Sequence, residues 1–233
     1  MRYTDLADEL YHAPEDALPA GVRVATAKRG GVTVTRVEIA REGLERPRGR
    51  YVTLEVPRVS LLDERDESVI EPAAAELRAL LPAAGPVLVL GVGNRRVTAD
   101  ALGPRTVQKI FVTMGQRSIP VQGIRPVAAV APGVSASTGL SLQQLAAALV
   151  HQVRPAALLC VDSLCSSEPE RLGVPVLAAG IPTLMQSEEG RDLVVTPREL
   201  DSVIAHGAAL LAAAINRALQ PRLSIAQLGW LTN

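Results

Sequence analysis

The sequence lacks an excess of charge of either sign. Its 24 Lys and Arg residues equal its 24 Asp and Glu residues, so the formal net charge is zero. Proteins that bind nucleic acids neutralise phosphates with a surplus of Lys and Arg, clustered on one surface. The sequence therefore argues against a direct nucleic-acid partner.

Aromatic residues are also scarce, at 2% of the 233 residues, whereas hydrophobic residues make up 48%. A core of this composition is built from Val, Leu, Ile and Ala, which suits helices packed closely on a buried sheet.

Segments that lead a chain into or across a membrane are missing as well. Residues 1–16 contain no apolar run of the kind found in a signal peptide. The longest apolar stretches, at 87–93 and 208–215, are shorter than the roughly 20 residues that span a bilayer. The two cysteines, Cys160 and Cys165, are expected to be reduced and buried. We therefore expect a cytoplasmic protein with no membrane partner.

The first sixty residues predict a β-rich lead-in. Val52, Leu54 and Val56 alternate with polar residues, which is the period of a strand with one buried face. In the run 32–39 the apolar positions change parity, which predicts a bulge or a frayed end. Residues 61–71 are interpreted as a charged connector, followed by a short helix near 72–81.

From residue 87 onwards, strand and helix patterns alternate. The predicted strands are 87–90, 126–130, 156–161 and 174–178, and the predicted helices are 104–114, 142–153 and 197–219. This order predicts an α/β fold, phosphorylase- or hydrolase-like, with a mostly parallel sheet flanked by helices on both faces. We expect a single domain over 1–233, in which 1–60 is the lead-in and 84–220 the parallel-sheet core.

Two aspartates, Asp100 and Asp162, follow apolar strands of this predicted sheet. Ligands and catalytic groups collect beyond the carboxyl ends of parallel strands, so the two side chains share one crevice if their strands are neighbours. Two carboxylates placed close together do not both ionise readily, and such a pair can supply a base and an acid for the hydrolysis of a peptide bond.

Structural roles for the aspartates are open too. Asp100 could cap a helix, although Pro104 suits the first helical position and would place the cap at Gly103. Asp162 could accept backbone N–H groups in the turn that follows it.

Other motifs indicate packing rather than chemistry. The glycines at 91 and 93 follow a strand, but neither the dinucleotide spacing nor a P-loop Lys is present, so close backbone packing is the favoured interpretation. Ser135, Ser137 and Thr138 are interpreted as a turn with local hydroxyl hydrogen bonds. The three histidines show no metal-ligand spacing, and we expect no metal or cofactor.

Several stretches of the sequence resemble the germination protease family, whose members are endopeptidases of spore-forming bacteria. The most specific is Val97-Thr98-Ala99-Asp100-Ala101-Leu102-Gly103-Pro104, preceded by Gly93-Asn94. Others occur in family order at 3–7, 49–55, 125–139, 173–183 and 195–201. The resemblance thus extends over nearly the whole chain.

The resemblance implies an aspartic-type endopeptidase that degrades small acid-soluble spore proteins in the spore core, as a homo-oligomer. It implies that Asp100 and Asp162 are the catalytic pair. Asn94 and Thr98 are assigned to orient this pair or to polarise the scissile carbonyl.

The N-terminal stretch Thr4-Asp5-Leu6 is similar to the site at which family members lose a prosegment, and is interpreted as a self-cleavage region or the start of an enzyme made without a zymogen stage. The chain also departs from the family because the segments after Asp162 and after Thr183 are short. A catalytically silent relative that binds spore proteins or a partner chain is therefore one alternative. A metal-dependent maturation protease is another.

Overall fold

The structure is a computed structural model that describes residues 4–56, 65–115, 123–167, 176–182 (backbone) and 200–232. The chain divides into two compact units, Met1–Val59 with Leu164–Glu199, and Ser60–Ser163 with Leu200–Asn233. The α/β class is confirmed, with one antiparallel and one parallel sheet among the described residues. The single domain over 1–233 stays a prediction.

The first unit contains an antiparallel sheet of strands β1 (Val22–Arg29), β2 (Val32–Ile39), β3 (Gly49–Glu55) and β7 (Val176–Pro182), in the order β1-β2-β3-β7. A short helix, α1 (Ala7–Leu10), precedes it. Ala7 and Tyr11 pack in one buried cluster with Val22, Val37 and Ile39 of the sheet. The β-rich lead-in is thus a sheet closed on one face by the N-terminal helix.

The predicted bulge in β2 is wrong. The strand pairs with β1 and β3 in unbroken register from end to end. Val32 and Val34 are buried, and so are Val37 and Ile39, which point to the opposite face. The parity of the apolar residues changes because one face of the sheet is buried at the start of the strand and the other face at its end. This change needs no bulge in the strand.

The strand predicted at 174–178 is placed differently by the structure. It spans Val176–Pro182 and pairs antiparallel with β3, with Glu55 opposite Val176 and Gly49 opposite Pro182. It therefore extends the first sheet instead of the parallel one. The alternation of strands and helices along the chain could not reveal this pairing, because the edge at which a strand pairs depends on residues that are distant in sequence.

The second unit contains a parallel sheet in which β4 (Val87–Gly91) lies between β5 (Val127–Val130) and β6 (Ala157–Val161). All of β4 is buried. The described helices of this unit are α2 (Glu67–Leu80), α3 (Leu102–Val107), α4 (Ser135–Thr138), α5 (Leu142–Val153), α6 (Leu200–Leu219) and α7 (Ile225–Thr232). Every residue of α5 keeps some solvent exposure. Coverage of the sheet by helices on both faces stays a prediction.

Helix boundaries were predicted with mixed success. The helix at 142–153 is confirmed, and it begins with a capping box between Ser141 and Gln144. Helix α2 begins earlier than expected, because Asp66 caps it by accepting the Ser68 N–H at 2.9 Å. Part of the supposed connector 61–71 is therefore helical.

The long helix α6 is confirmed from Leu200 to Leu219, and the predicted cap at Thr196 lies outside the described residues. By length and composition alone α6 could cross a bilayer, but half of its most apolar window is buried inside the structure. It also packs against α2, α3 and α7. This is the behaviour of a core helix.

Two buried amides fasten α6 and the residue after it to neighbouring loops. Asn216 accepts the Phe111 N–H at 2.8 Å and donates to the Lys109 carbonyl at 2.9 Å. Gln220 makes the same double contact with the backbone of Arg125, at 2.9 and 2.8 Å. Each amide pairs with one backbone donor and one backbone acceptor in a buried or partly buried position.

Candidate active site

The strands that precede the two aspartates are neighbours. Strands β4 and β6 run parallel, with Gly91 opposite Val161, so they end at the same edge of the sheet. Beyond this edge, the Val92 N–H donates to the Val161 carbonyl at 2.8 Å. Asp162 follows directly. The two strands are therefore neighbours, as the prediction requires, and the placement of both carboxylates in one crevice stays a prediction.

Asp100 is held by the loop that leaves β4. The loop closes through a 3₁₀ turn at Thr98–Asp100 and continues into α3. The carboxylate of Asp100 reaches back and accepts the backbone N–H of Asn94 at 2.7 Å. The expected helix cap at Gly103 is wrong, because α3 begins at Leu102 with Ala101 as its cap, and Asp100 closes the preceding turn. Asp100 caps no helix.

Glycines make this closure feasible. Gly93 has a φ of +118°, and a β-carbon there would lie 2.1 Å from the backbone oxygen of Asp100. Gly103 fits against both strand ends, where a β-carbon would lie 2.3 Å from the oxygens of Val92 and Val161. Close backbone packing, the favoured interpretation of the glycines at 91 and 93, is confirmed at both, since a β-carbon on Gly91 would lie 2.3 Å from the Gly103 oxygen.

Asp162 is exposed to solvent, and its carboxylate accepts the N–H of Ser163 at 2.8 Å. Two residues earlier, the pKa of the Cys160 thiol is raised by partial desolvation of the sulfur, although the residue as a whole is exposed, and further by the negative charge of Asp162. The thiol therefore stays protonated near neutral pH, which makes Cys160 a poor nucleophile. The acid–base chemistry available at this strand end is that of the carboxylate.

The two residues assigned to orient the pair make different contacts from those expected. Asn94 contacts Asp100 through its backbone N–H, whereas its side-chain oxygen accepts the N–H of Arg96 at 3.0 Å. The Thr98 hydroxyl donates to Asp201 at 2.9 Å. Asp201, in the first turn of α6, was missed as a site residue. It lies 103 positions from Thr98, and no local pattern announces the contact.

The predicted self-cleavage region is folded into the first unit. Thr4 and Leu6 are buried, and the backbone N–H of Asp5 donates to the carbonyl of Cys165 at 2.8 Å. The Asp5 carboxylate in turn accepts the Cys165 N–H at 2.8 Å. Cleavage here would require release of these contacts, because a protease acts on an extended, accessible chain. Self-cleavage stays a prediction.

Glu9 fastens the same N-terminal segment. Its carboxylate accepts the Ser167 N–H and hydroxyl, each at 2.8 Å, and a short hydrogen bond from the Ser166 hydroxyl. Burial raises the pKa of Glu9, but hydrogen bonds from Ser166, Thr4 and Ser167 outweigh it, so the net pKa is lowered. Glu9 is thus an ionised anchor in the first unit.

The remaining candidates behave as structural residues. The hydroxyls of Ser137 and Thr138 both donate to the Val134 carbonyl, at 2.9 and 3.3 Å, which confirms the predicted local turn. Both cysteines are reduced, but the expectation that they are buried is wrong, since Cys160 is exposed and Cys165 half-buried. Within the described ranges, His, Cys, Asp and Glu form no group of three or more suited to a metal ion.

Aspartates at the ends of adjacent parallel strands in an α/β unit define a candidate hydrolase site. The sequence comparisons give this class a family. The germination protease family matches residues 8–172, a span that includes both Asp100 and Asp162. The chain belongs to the germination protease family.

Individual relatives agree with this assignment. The germination protease of Clostridium acetobutylicum is 28% identical over 99% of this chain and 98% of that protein. That of Caldanaerobacter subterraneus subsp. tengcongensis is 30% identical over 95% of both chains, and that of Priestia megaterium is 31% identical over 80% of this chain and 60% of its own length. Membership makes the chain a peptide hydrolase with a protease role in spore germination.

Proposed function

We propose that the chain is an aspartic-type endopeptidase that hydrolyses small acid-soluble spore proteins during germination, in the spore core. The observation that carries the proposal is the parallel pairing of β4, whose following loop carries Asp100, with β6, which Asp162 follows directly. The family relationship supports protein hydrolysis, and the strand geometry supports this pair as its centre.

The chemistry requires one carboxylate and one carboxylic acid. The carboxylate removes a proton from water, and the oxygen of that water forms a bond to the scissile carbonyl carbon. When the tetrahedral intermediate collapses, the C–N bond breaks and the other carboxyl donates its proton to the leaving amine. We assign Asp100 to the base, because its carboxylate is held in place as an acceptor by the Asn94 N–H at 2.7 Å. Asp162 is assigned to the acid, which requires the two carboxyl groups to share one proton when substrate occupies the crevice.

Purified chain incubated with a small acid-soluble spore protein tests the proposal, with Asp100→Asn and Asp162→Asn as matched variants. Both substitutions keep the side-chain volume and an acceptor oxygen while removing the charge. Discrete fragments from the wild type alone are expected. Equal cleavage by wild type and both variants would show that another group is responsible.

A second function is favoured by one observation about length. The alignment with the Clostridium acetobutylicum protein extends over 322 positions, against 233 residues in this chain. Relatives therefore carry segments that this chain lacks. A catalytically silent protein that binds spore proteins would leave the substrate intact in all three reactions, and Asp100→Asn would not change its binding.

A further inference from the structure

A carboxylate outside the aspartate pair is tied to the loop that carries Asp100. One oxygen of Asp201, Oδ1, accepts the Thr98 hydroxyl at 2.9 Å. The same oxygen lies 3.7 Å from a guanidinium nitrogen of Arg105, on α3. Asp201 thus connects the first turn of α6 to the 3₁₀ turn that ends at Asp100 and to the helix α3 that follows it.

Thr98 is the residue through which this tie acts on the site. It begins the 3₁₀ turn that ends at Asp100, and its carbonyl accepts the Ala101 N–H at 3.2 Å. The Asp100 N–H also closes the turn by donating a hydrogen bond to the Val97 carbonyl at 2.9 Å. A hydrogen bond to Thr98 therefore restrains a turn of which the catalytic candidate is the last member.

The ion pair with Arg105 does not account for the arrangement by itself. The Arg105 side chain is 34% exposed and that of Asp201 is 80% exposed. Exposed pairs of this kind add little stability, since water screens the charges and the side chains lose rotamer freedom. The directional contact is the hydrogen bond from Thr98, whose geometry fixes where the turn lies.

We propose that Asp201 is a positioning residue for the proposed peptide hydrolysis, holding the Thr98–Asp100 turn so that Asp100 keeps its place at the strand end. The proposal rests on the proposed function. Asp201 acts through Thr98 and touches no reacting atom. Misplacement of a catalytic group by about 1 Å can cost about a hundredfold in rate, so loosening of the turn lowers kcat more than it alters substrate binding.

The test compares Asp201→Ala with Asp201→Asn on a purified small acid-soluble spore protein. Alanine removes the acceptor, and we expect kcat to fall about tenfold with KM changed less than about twofold. Asparagine keeps an oxygen that can accept from Thr98 and should restore most of the rate. Thr98→Val should match the alanine variant, and the double variant should lose no more than either single one.

Glu71→Ala is the matched control, because Glu71 also ties α6 to another helix, through Arg217 at 2.6 Å. Its kcat should equal that of the wild type. Additive losses in the double variant, or failure of asparagine to restore the rate, would overturn the positioning role.

Amide exchange separates failure of this proposal from failure of the proposed function. The Asn94 N–H is bonded to the Asp100 carboxylate, so it should exchange faster in Asp201→Ala than in the wild type or in Glu71→Ala. This readout needs no activity. An unchanged exchange rate at Asn94 would overturn the positioning role even if the wild type cleaves its substrate, and a wild type without activity would refute only the function.

Discussion

Replacement of Gly103 by alanine should destabilise the second unit and separate the two strand ends. A β-carbon at this position would lie 2.3 Å from the oxygens of Val92 and Val161 and 2.7 Å from the nitrogen of Val92. All three atoms belong to the backbone, so no flexible side chain can move aside. Helix α3 would have to shift, or the hydrogen bond between Val92 and Val161 would have to break.

The magnitude follows from opposing contributions. Overpacking costs about 1–3 kcal/mol, and loss of the Val92 hydrogen bond costs about 1 kcal/mol more. Alanine instead of glycine inside a helix returns about 1 kcal/mol. We expect a net loss of about 2 kcal/mol in the free energy of unfolding.

Gly207→Ala provides the matched control, since Gly207 also lies within a helix of the same unit. Among the residues that the structure describes, a β-carbon there would meet only Leu102 Cδ1, at an ordinary contact distance of 3.8 Å. This variant should be about 1 kcal/mol more stable than the wild type. The two variants should therefore differ by about 3 kcal/mol in urea unfolding followed by circular dichroism. If Gly103→Ala proves as stable as Gly207→Ala, the packing argument for the strand ends is refuted.

Three further predictions concern other contacts. Asn216→Leu should lower the free energy of unfolding by about 3 kcal/mol in urea titrations, because it removes the acceptor of the buried Phe111 N–H and the hydrogen bond to the Lys109 carbonyl; a loss below about 1 kcal/mol would contradict this. The lowered pKa of Glu9 stabilises the fold above the ordinary value of 4.5, and this contribution is lost as the pH falls through the lowered pKa. The stability difference between wild type and Glu9→Gln should accordingly be larger at pH 7 than at pH 3, and a pH-independent difference would refute it. Alkylation of Cys160 by iodoacetamide at pH 8 should be about twofold faster in Asp162→Asn, which removes the charge that raises the thiol pKa; equal rates would show that Asp162 does not act on the thiol.

Local sequence patterns predicted the parts of the fold that depend on local interactions. The helix Leu142–Val153 has its own cap and period, and β4 and β6 are short apolar runs, of which β4 is buried along its whole length. The candidate pair was found because strand ends are visible in the sequence. Whether the two strands are neighbours could be stated only as a condition, since strand pairing joins residues that are far apart in sequence.

The contacts that sequence patterns missed are long-range. The pairing of β7 with β3, the anchor of Glu9 on Ser167 and the tie from Asp201 to Thr98 each join segments more than a hundred residues apart. Nothing in the neighbourhood of either partner distinguishes such a contact from a solvated surface residue. The parity change in β2 led to the wrong prediction of a bulge for a related reason: the elements that cover each face of a sheet come from elsewhere in the chain.

The spacing of glycine and aspartate around Asp100 is explained by contact distances at the ends of β4 and β6. The glycines let α3 and the loop pack against the ends of β4 and β6. Gly103 meets the carbonyls of Val92 and Val161, and Gly93 meets Asp100 itself, all closer than any side chain permits. A residue with a β-carbon at either position would push the loop away from the strand end and displace the carboxylate that the loop carries. The spacing of glycine and aspartate in this segment is therefore a packing requirement of the site, and the shortened segments elsewhere in the chain leave it intact.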